Sequence, residues 1–401
     1  MKLVTIGGGN GQSNLLSGFF EFLPNEVELA SIVSMSDDGR TTGELMRKFA
    51  EHLGQHLPPP GDLRKCLYST SGSYYREYFM KAFETIFTIE KNISDFTILE
   101  LYREISKEVL KDNYLPRAIL DDVEFFTAKN KGPLAEYIAR KNKNVLDYKL
   151  PLDSPIKGHK FGNILMASIY HNLGDYNEML YGMHKLLEVK GRILPVTINR
   201  ALIKAKLENG KVIETQDRIS NVADYNSAIS DLELMDCSKS ASYNEALKEA
   251  ILTADFIMIG PGDLYTSIIS NLIIGGVGEI LKKSNAEIIY VLNSTNKGGE
   301  TDGYNVSDFV NRLEQFLGKN IDYLIANNKK LNLTGSELER FKNDISVKGG
   351  DYLYITDEEI EDFEKRGIKV VERDFLDKVS LYKHNKKKIS KATNDILRGS
   401  V

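Results

Sequence analysis

Two stretches of this chain set a short apolar run directly against a glycine turn and a helix start. They are "KLVTIGGGNG" at Lys2–Gly11 and "DFIMIGPGDLYTSIISNL" at Asp255–Leu272. An apolar run of this length with no polar alternation reads as a strand covered on both faces, which is the habit of a parallel sheet flanked by helices. The glycine turn gives the second constraint. A helix start offers unpaired backbone amides and a partial positive charge, and glycines let an anion come close to that backbone. Neither loop is a known nucleotide fingerprint. Gln12 stands where a GxGxxG register starting at Gly7 needs glycine, and no GK[ST] follows either strand, which disfavours a nicotinamide dehydrogenase and a P-loop NTPase.

The rest of the chain extends this frame. Lys2–Ile6 is the first strand, and Leu15, Leu16, Phe19 and Phe20 give the following helix one apolar face. Val27–Met35 is the second strand, completing a β–loop–α–β start. Prolines 58–60 in "LPPPGDLRKCLYS" cannot be helical, and a helix is predicted from near Leu63. Residues 73–150 turn aromatic and charged with helical spacing and read as an all-helical insertion of about four helices, its aromatic stripe internal packing. A helix is predicted at Ile164–Asn172. Strands are predicted at Arg192–Ile198, Ala201–Leu207 and Val212–Asp217, with an Asn209-Gly210 hairpin turn, and then at Phe256–Ile259, Ile288–Leu292 and Tyr323–Ala326. The basic stretch "KHNKKKISK" near the C-terminus reads as a solvated helix face. The predicted fold is α/β, a Rossmann-like doubly wound, mostly parallel sheet with an antiparallel section. Residues 1–72 and 151–330 form its core, and 331–401 an α/β extension packed on that core.

Composition excludes several classes. A net charge of −5 implies no general attraction to nucleic acid or to an anionic membrane. Two distant cysteines, Cys66 and Cys237, and six scattered histidines give no zinc spacing and no disulfide framework. No run approaches the ~18 apolar residues of a membrane helix. The N-terminus reads as a strand rather than a leader, and the expected location is the cytoplasm.

Polar clusters stand at the predicted strand ends: Asp37-Asp38 in "SIVSMSDDGRTTG", Asp62 with Arg64, His159 with Asn163, Asp263 with Tyr265 and Thr266, and Glu300-Thr301-Asp302. Each has a plain structural reading as a turn, cap or salt bridge. Together, on one rim of a doubly wound sheet, the carboxylates suit Mg²⁺ bridging to phosphates, and Arg64 suits a paired-hydrogen-bond phosphate clamp.

In order along the chain, "GGGNG", "SMSDDGRTTG", "PPPGDLR", "GHKFGN", "GPGDLYTSIISNL" and "GETDGYNVSDFV" resemble the YvcK/CofD family, over residues 1–72 and 153–327. The "PPPGDLR" and "SDDG" forms look like the YvcK branch. The resemblance implies a Rossmann-like fold holding a nucleotide-diphosphate-linked ligand. In the YvcK branch this is a UDP-sugar such as UDP-N-acetylglucosamine, with a role in gluconeogenesis, central carbon metabolism and cell-wall morphogenesis. In the CofD branch the implied activity is Mg²⁺-dependent 2-phospho-L-lactate transfer. A third reading is an assembly protein whose insertion binds another protein while the site only senses. The candidate ligand- and phosphate-binding residues are Gly8, Gly9, Asn10, Gly11, Arg64, Asn163, Gly260, Pro261, Gly262, Asp263 and Tyr265. Asp37 and Asp38 are the candidate metal ligands. Mg²⁺ is the one cofactor considered, with neither NAD nor zinc expected. A homodimer is a candidate assembly. Two segments depart from the family pattern: Asn10 replaces the usual threonine, and Arg40-Thr41-Thr42 replaces Gly-Ser-Ser.

Overall fold

The computed structural model describes residues 1–73, 76–110, 147–221, 227–343, 350–377, 380 and 383–401. It forms two compact units, one made of Met1–Ser36 with Gly191–Val401 and the other of Asp37–Lys190.

The first unit is built on a seven-stranded sheet in the order β10-β9-β8-β7-β1-β2-β3. Its strands are β1 (Lys2–Gly7), β2 (Glu28–Val33), β3 (Arg192–Pro195), β7 (Phe256–Ile259), β8 (Glu287–Val291), β9 (Tyr323–Asn327) and β10 (Lys369–Arg373). Every neighbouring pair is parallel. β4 (Ile203–Leu207), β5 (Val212–Glu214) and β6 (Ile229–Leu234) make a separate antiparallel sheet in the order β5-β4-β6. The α/β doubly wound expectation is met, antiparallel section included. The long sheet runs outward from β1 through β2 to β3 on one side and from β7 through β10 on the other. Strand order therefore reverses between β1 and β7, which pair in register from Leu3 opposite Phe256 to Ile6 opposite Ile259. In an open α/β sheet that reversal opens a crevice at the carboxyl ends of the two strands.

Helix α1 (Gly9–Phe22) buries Leu15, Leu16 and Phe19, and Leu15 and Phe19 join a cluster with Leu3, Met258, Val291 and Ile325. The C-terminal helix Lys386–Leu397 corrects the solvated-face expectation. Lys386, Lys387 and Lys388 lie in the first turn and exposed Lys391 in the second, while Ile389, Ser390, Ala392, Thr393, Ile396 and Leu397 are buried, and it packs along α1. The lysine run conceals a separate apolar stripe at helical spacing.

The second unit is helical. It contains α2 (Arg40–Leu53), α3 (Gly61–Ser69), α4 (Arg76–Glu84), α5 (Ile98–Leu110), α6 (Phe161–Leu173) and α7 (Tyr176–Leu186). Its aromatics interlock edge to face: Phe83 packs on Phe161 at 6.0 Å and on Phe79 at 6.0 Å, and Phe87 meets Phe161 at 6.3 Å. The stripe is thus packing. Of the helical insertion, α4, α5 and a single turn at Ile93–Asp95 are described, and residues 111–146 lie outside the described residues. The unit boundaries fall at residues 36/37 and 190/191. The reason is that α3 and α6 pack against α4 and α5. Helix α2 begins directly after Gly39, where the polar residues that follow the second strand mask its period. Its apolar face, Leu45 and Phe49, is nonetheless buried.

Gly18 of α1 lies against the C-terminal helix. A Cβ there would stand 2.9 Å from the Lys386 carbonyl oxygen and 2.9 Å from Ser390 Oγ. Gly18→Ala gains helix propensity but overpacks a backbone contact, for a net loss of about 1–2 kcal/mol. Urea unfolding measures it, and an unchanged midpoint would show that the C-terminal helix can shift off α1 without cost.

Candidate functional site

The two glycine loops leave β1 and β7 side by side. After β1, Gly8 is extended and Gly9 has a φ of +61°, which turns the chain into α1. No side chain caps that helix start. After β7, Gly260 takes a φ of +79°, and the Gly260–Pro261 peptide is cis. Leu264–Ile269 then winds as a π-helical turn continuing into Ser270–Leu272, again without a side-chain cap. Single π-turns of this kind recur at functional sites. The loops touch: a Cβ on Gly11 would lie 2.4 Å from the Pro261 carbonyl oxygen, and one on Gly262 would lie 3.6 Å from the Gly8 carbonyl oxygen. Gly8, Gly260 and Pro261 are buried, Gly9, Gly11, Gly262 and Asp263 are partly buried, and Asn10 is exposed at the mouth.

Side chains that sequence reasoning passed over fix these loops. Gln12 is fully buried and donates from Nε2 to Thr5 Oγ1 and Ser31 Oγ, both at 2.7 Å, pinning α1 to β1 and β2. Asn293, just past β8, accepts from the Gly262 amide at 3.1 Å and donates to the Gly262 carbonyl at 2.8 Å. Ser34 Oγ lies 3.0 Å from both Ser36 Oγ and Ser270 Oγ, and Ser36 donates to the Thr266 carbonyl at 3.2 Å. These ties join the end of β2 to the π-turn.

Below the second loop, Lys297 Nζ pairs with Asp263 Oδ2 and, at 2.8 Å, with Glu300 Oε1. Thr266 Oγ1 donates to the Glu300 carboxyl at 3.3 Å. Burial raises the Glu300 pKa, with the Lys297 charge opposing it. Burial works against the charge of Lys297, but Asp263 and Glu300 outweigh it and raise its pKa. Of the expected Glu300-Thr301-Asp302 cluster, Glu300 and Thr301 are buried. Thr301 Oγ1 accepts from the Lys297 amide at 2.9 Å, and exposed Asp302 accepts from the Gly299 amide at 2.6 Å. Tyr265 is fully buried. Its hydroxyl donates to the Ile229 carbonyl and meets Tyr304 Oη, each at 2.7 Å, so it anchors the π-turn to β6.

The remaining candidates belong to the second unit. Arg64 is 1 % exposed. It donates from Nη1 to Asn163 Oδ1 and from Nη2 to Glu84 Oε1 at 2.6 Å. Glu84 also accepts from Tyr68 Oη at 3.0 Å and from Lys160 Nζ. Burial works against the charge of Glu84, but Arg64 and Lys160 outweigh it and lower its pKa. Arg64 and Asn163 are therefore brought together, inside an ion-pair network rather than at an open clamp. Arg64 Nε keeps no hydrogen-bond partner among the described residues. His159 is buried, and burial lowers its pKa.

Asp37 lies over the start of α3, where a Cβ on Gly61 would come 2.8 Å from Asp37 Oδ2. Burial, reinforced by the neighbouring Asp62 carboxylate, pushes the Asp37 pKa up to about 6, against an amide bond from Gly39 at 3.2 Å. A carboxylate that repels Asp37 is Asp62, which sequence reasoning sets with Arg64. Asp38 is partly buried, and its carbonyl oxygen would be 1.8 Å from a Cβ on Gly43. Lys65 sits 3.3 Å from Asp62. Among the described residues no three His, Cys, Asp or Glu side chains gather as a metal cage. Asp37 and Asp62 still fit the sparse donor set that Mg²⁺ accepts, one or two carboxylates completed by water and phosphate oxygens.

Fold and crevice define an open, doubly wound α/β protein with glycine loops on both sides of its switch point. The chain belongs to the CofD family: the model described as 2-phospho-L-lactate transferase CofD matches residues 3–376. Similar curated relatives carry the gluconeogenesis factor name of the YvcK branch. A putative gluconeogenesis factor of Thermotoga maritima is 28 % identical over 90 % of this chain and 88 % of its own. The gluconeogenesis factor of Bacillus subtilis is 25 % identical over 99 % of this chain and 98 % of its own. The fold matches a crystal structure of a UPF0052 family protein from Bacillus halodurans, with a TM-score of 0.69 and 23 % identity over 98 % of both chains. Among the described residues no helix is long and apolar enough to cross a membrane.

The raised Asp37 pKa has a stability signature. The folded chain holds this proton up to about pH 6, whereas the ordinary value is 3.8. The stability it brings is complete below the lower value and is lost as pH rises through the upper one. Asp37→Asn keeps an acceptor for the Gly39 amide and removes that loss. The variant should gain on the parent by about 2–3 kcal/mol between pH 4 and pH 7. Urea melts across that range read it, and a constant difference would show that Asp37 is not held protonated by its surroundings.

Proposed function

We infer that this chain binds a nucleotide-diphosphate-linked ligand of the UDP-sugar type, such as UDP-N-acetylglucosamine, with its diphosphate on the two glycine loops. Its role is that of a regulator of central carbon metabolism, gluconeogenesis and cell-wall morphogenesis. One observation carries the reading: two helix starts without side-chain caps lie against each other, at Gly11 and Pro261, on either side of the sheet's switch point. Aligned peptide dipoles and glycine backbone favour a phosphate there over any neutral group. The names of the relatives support the metabolic role.

A second reading, Mg²⁺-dependent transfer of a phospholactyl group, is favoured by the Asp37–Asp62 pair, whose repulsion a divalent cation would relieve. In that case these two carboxylates would hold the ion, and the ion would supply charge stabilisation at phosphate oxygens.

Calorimetry with UDP-N-acetylglucosamine, UDP-glucose and GTP, each with and without Mg²⁺, separates the two. Saturable UDP-sugar binding without metal is expected. Binding confined to a guanosine compound with Mg²⁺, or no binding at all, would overturn the regulator reading. Asn10→Asp is the matching variant. A carboxylate in the first turn of α1 favours the helix dipole but repels a diphosphate. The variant should keep or raise the melting temperature while weakening UDP-sugar binding about tenfold. Equal affinity for parent and variant would place the diphosphate elsewhere.

A further inference from the structure

We propose that Ser267 is a direct ligand contact, its hydroxyl donating to a phosphate oxygen of a diphosphate seated at the start of α1. The proposal rests on the reading of the glycine loops as a phosphate site and adds to it a side chain that sequence reasoning passed over.

The starting point is a hydroxyl without an acceptor. A helical serine or threonine commonly turns its hydroxyl back to the carbonyl four residues earlier. Ser270 does so to Thr266 at 2.9 Å, Ser390 to Lys386 at 2.7 Å and Thr393 to Ile389 at 2.9 Å. For Ser267 that carbonyl belongs to Asp263. The π-turn uses it twice: the Ser267 amide donates to it at 2.9 Å and the Ile268 amide at 3.1 Å. A carbonyl oxygen has two lone pairs, and both are taken. Ser267 Oγ makes no hydrogen bond among the described residues. The π-turn is therefore what releases this hydroxyl from the backbone.

Its position sets it between the two glycine loops. A Cβ on Gly9 would lie 3.6 Å from Ser267 Oγ, and one on Gly262 would lie 3.2 Å from Ser267 Cβ and 3.6 Å from the Gly8 carbonyl oxygen. Ser267 is partly buried, and glycine at both positions leaves the face of the hydroxyl clear.

Helix α1 supplies the other half of the site. It is 14 residues long and starts without a side-chain cap. The Gln12 amide donates to the Gly8 carbonyl at 3.3 Å, and the Asn10 and Gly11 amides precede it in the first turn. Asn10 is exposed and Gly11 partly buried, so these amides stand at the mouth and not in the core. Gln12 is 0 % exposed, and its Oε1 finds no donor among the described residues although it lies against Gly7, where the loop leaves β1. Hydrogen-bonding capacity that the chain itself does not use thus flanks this helix start, which is the mark of a polar guest. A phosphate there meets backbone N–H groups from α1 and the Ser267 hydroxyl from the π-turn. The hydroxyl rotates to whichever phosphate oxygen faces it, and a bond to an ionised acceptor is roughly twice as strong as one between neutral groups.

Calorimetry with UDP-N-acetylglucosamine tests this, read beside the melting temperature of the unliganded chain. Ser267→Ala should bind about tenfold to a hundredfold more weakly than the parent. Its melting temperature should stay at the parental value, because no internal hydrogen bond is lost. The same factor should be lost with UDP, which carries the diphosphate without the sugar. Ser267→Cys, similar in size and a weak donor, should lose affinity likewise, and it carries the comparison alone if Ser267→Ala does not fold. Parental affinity in these variants overturns the proposal and leaves the phosphate-site reading standing. Melting temperatures that fall by several degrees along with the affinity overturn it as well, since the serine would then act through the fold. A loss confined to UDP-N-acetylglucosamine would place the hydroxyl on the sugar and equally refute the phosphate contact. A parent that binds neither compound refutes the phosphate-site reading and the proposal with it.

Discussion

The contact between Gly11 and the Pro261 carbonyl is the constraint on which the crevice depends. β1 and β7 are parallel neighbours in register, so the chain leaves both at the same level of the sheet. Two loops emerging side by side would normally be separated by their side chains. Here the separation is less than any Cβ allows, because the Gly11 position would clash at 2.4 Å. Backbone therefore meets backbone, and two helix starts face one volume. Gln12 holds the first loop in this arrangement from below, its Nε2 bridging β1 and β2. Gly7 is what makes room for it, since a Cβ there would lie 2.6 Å from Gln12 Oε1. The residue that spoils a dinucleotide register is thus the one that secures a different loop.

That geometry concentrates partial positive charge, and the surrounding side chains manage the consequence. Serine hydroxyls from the end of β2 bind one another and the π-turn. Asn293 takes both polar groups of Gly262. Neutral donors and acceptors of this kind rigidify the loops without spending the field at the helix starts. The carboxylates close to the second loop are tied to a lysine whose own desolvation they offset. A buried lysine with one such partner would be costly, and two partners with further hydroxyl support make the group satisfiable.

The strand–glycine–helix frame was legible in the sequence because its signals are local. Apolar runs beside glycine have few alternative readings, and the doubly wound, mostly parallel class followed from them, whereas the strand order did not. What escaped depends on contacts across long sequence separations. Nothing around Lys297 announces that Asp263, 34 residues earlier, needs it. Asn293 is separated from Gly262 by 31 residues. Tyr265 stands inside a glycine-loop motif and so reads as a ligand contact, yet its ring lies in the interior and its hydroxyl reaches β6. Helix α2 was hidden for a local reason: Gly39 and its polar neighbours look like the end of a strand, and only the burial of Leu45 and Phe49 shows the helical period.

Arg64 shows how a charged residue in a recognisable motif can serve the scaffold. Its guanidinium is buried, so its charge needs a partner wherever it sits. Glu84 supplies it, and Glu84 lies at the end of α4, the first described helix of the segment read as an insertion. Glu84 is itself shared with Tyr68 on α3 and Lys160 just before α6. One carboxylate thus collects three donors, two from α3 and one from the residue before α6. A pair with one buried member adds little net stability compared with well-packed apolar groups, whereas removing Glu84 leaves the buried guanidinium charge uncompensated. Its contribution is to favour the docking of α4 that brings Glu84 to both Arg64 and Lys160. Residues flanking the insertion in sequence thus supply the ionic partners that its first helix requires.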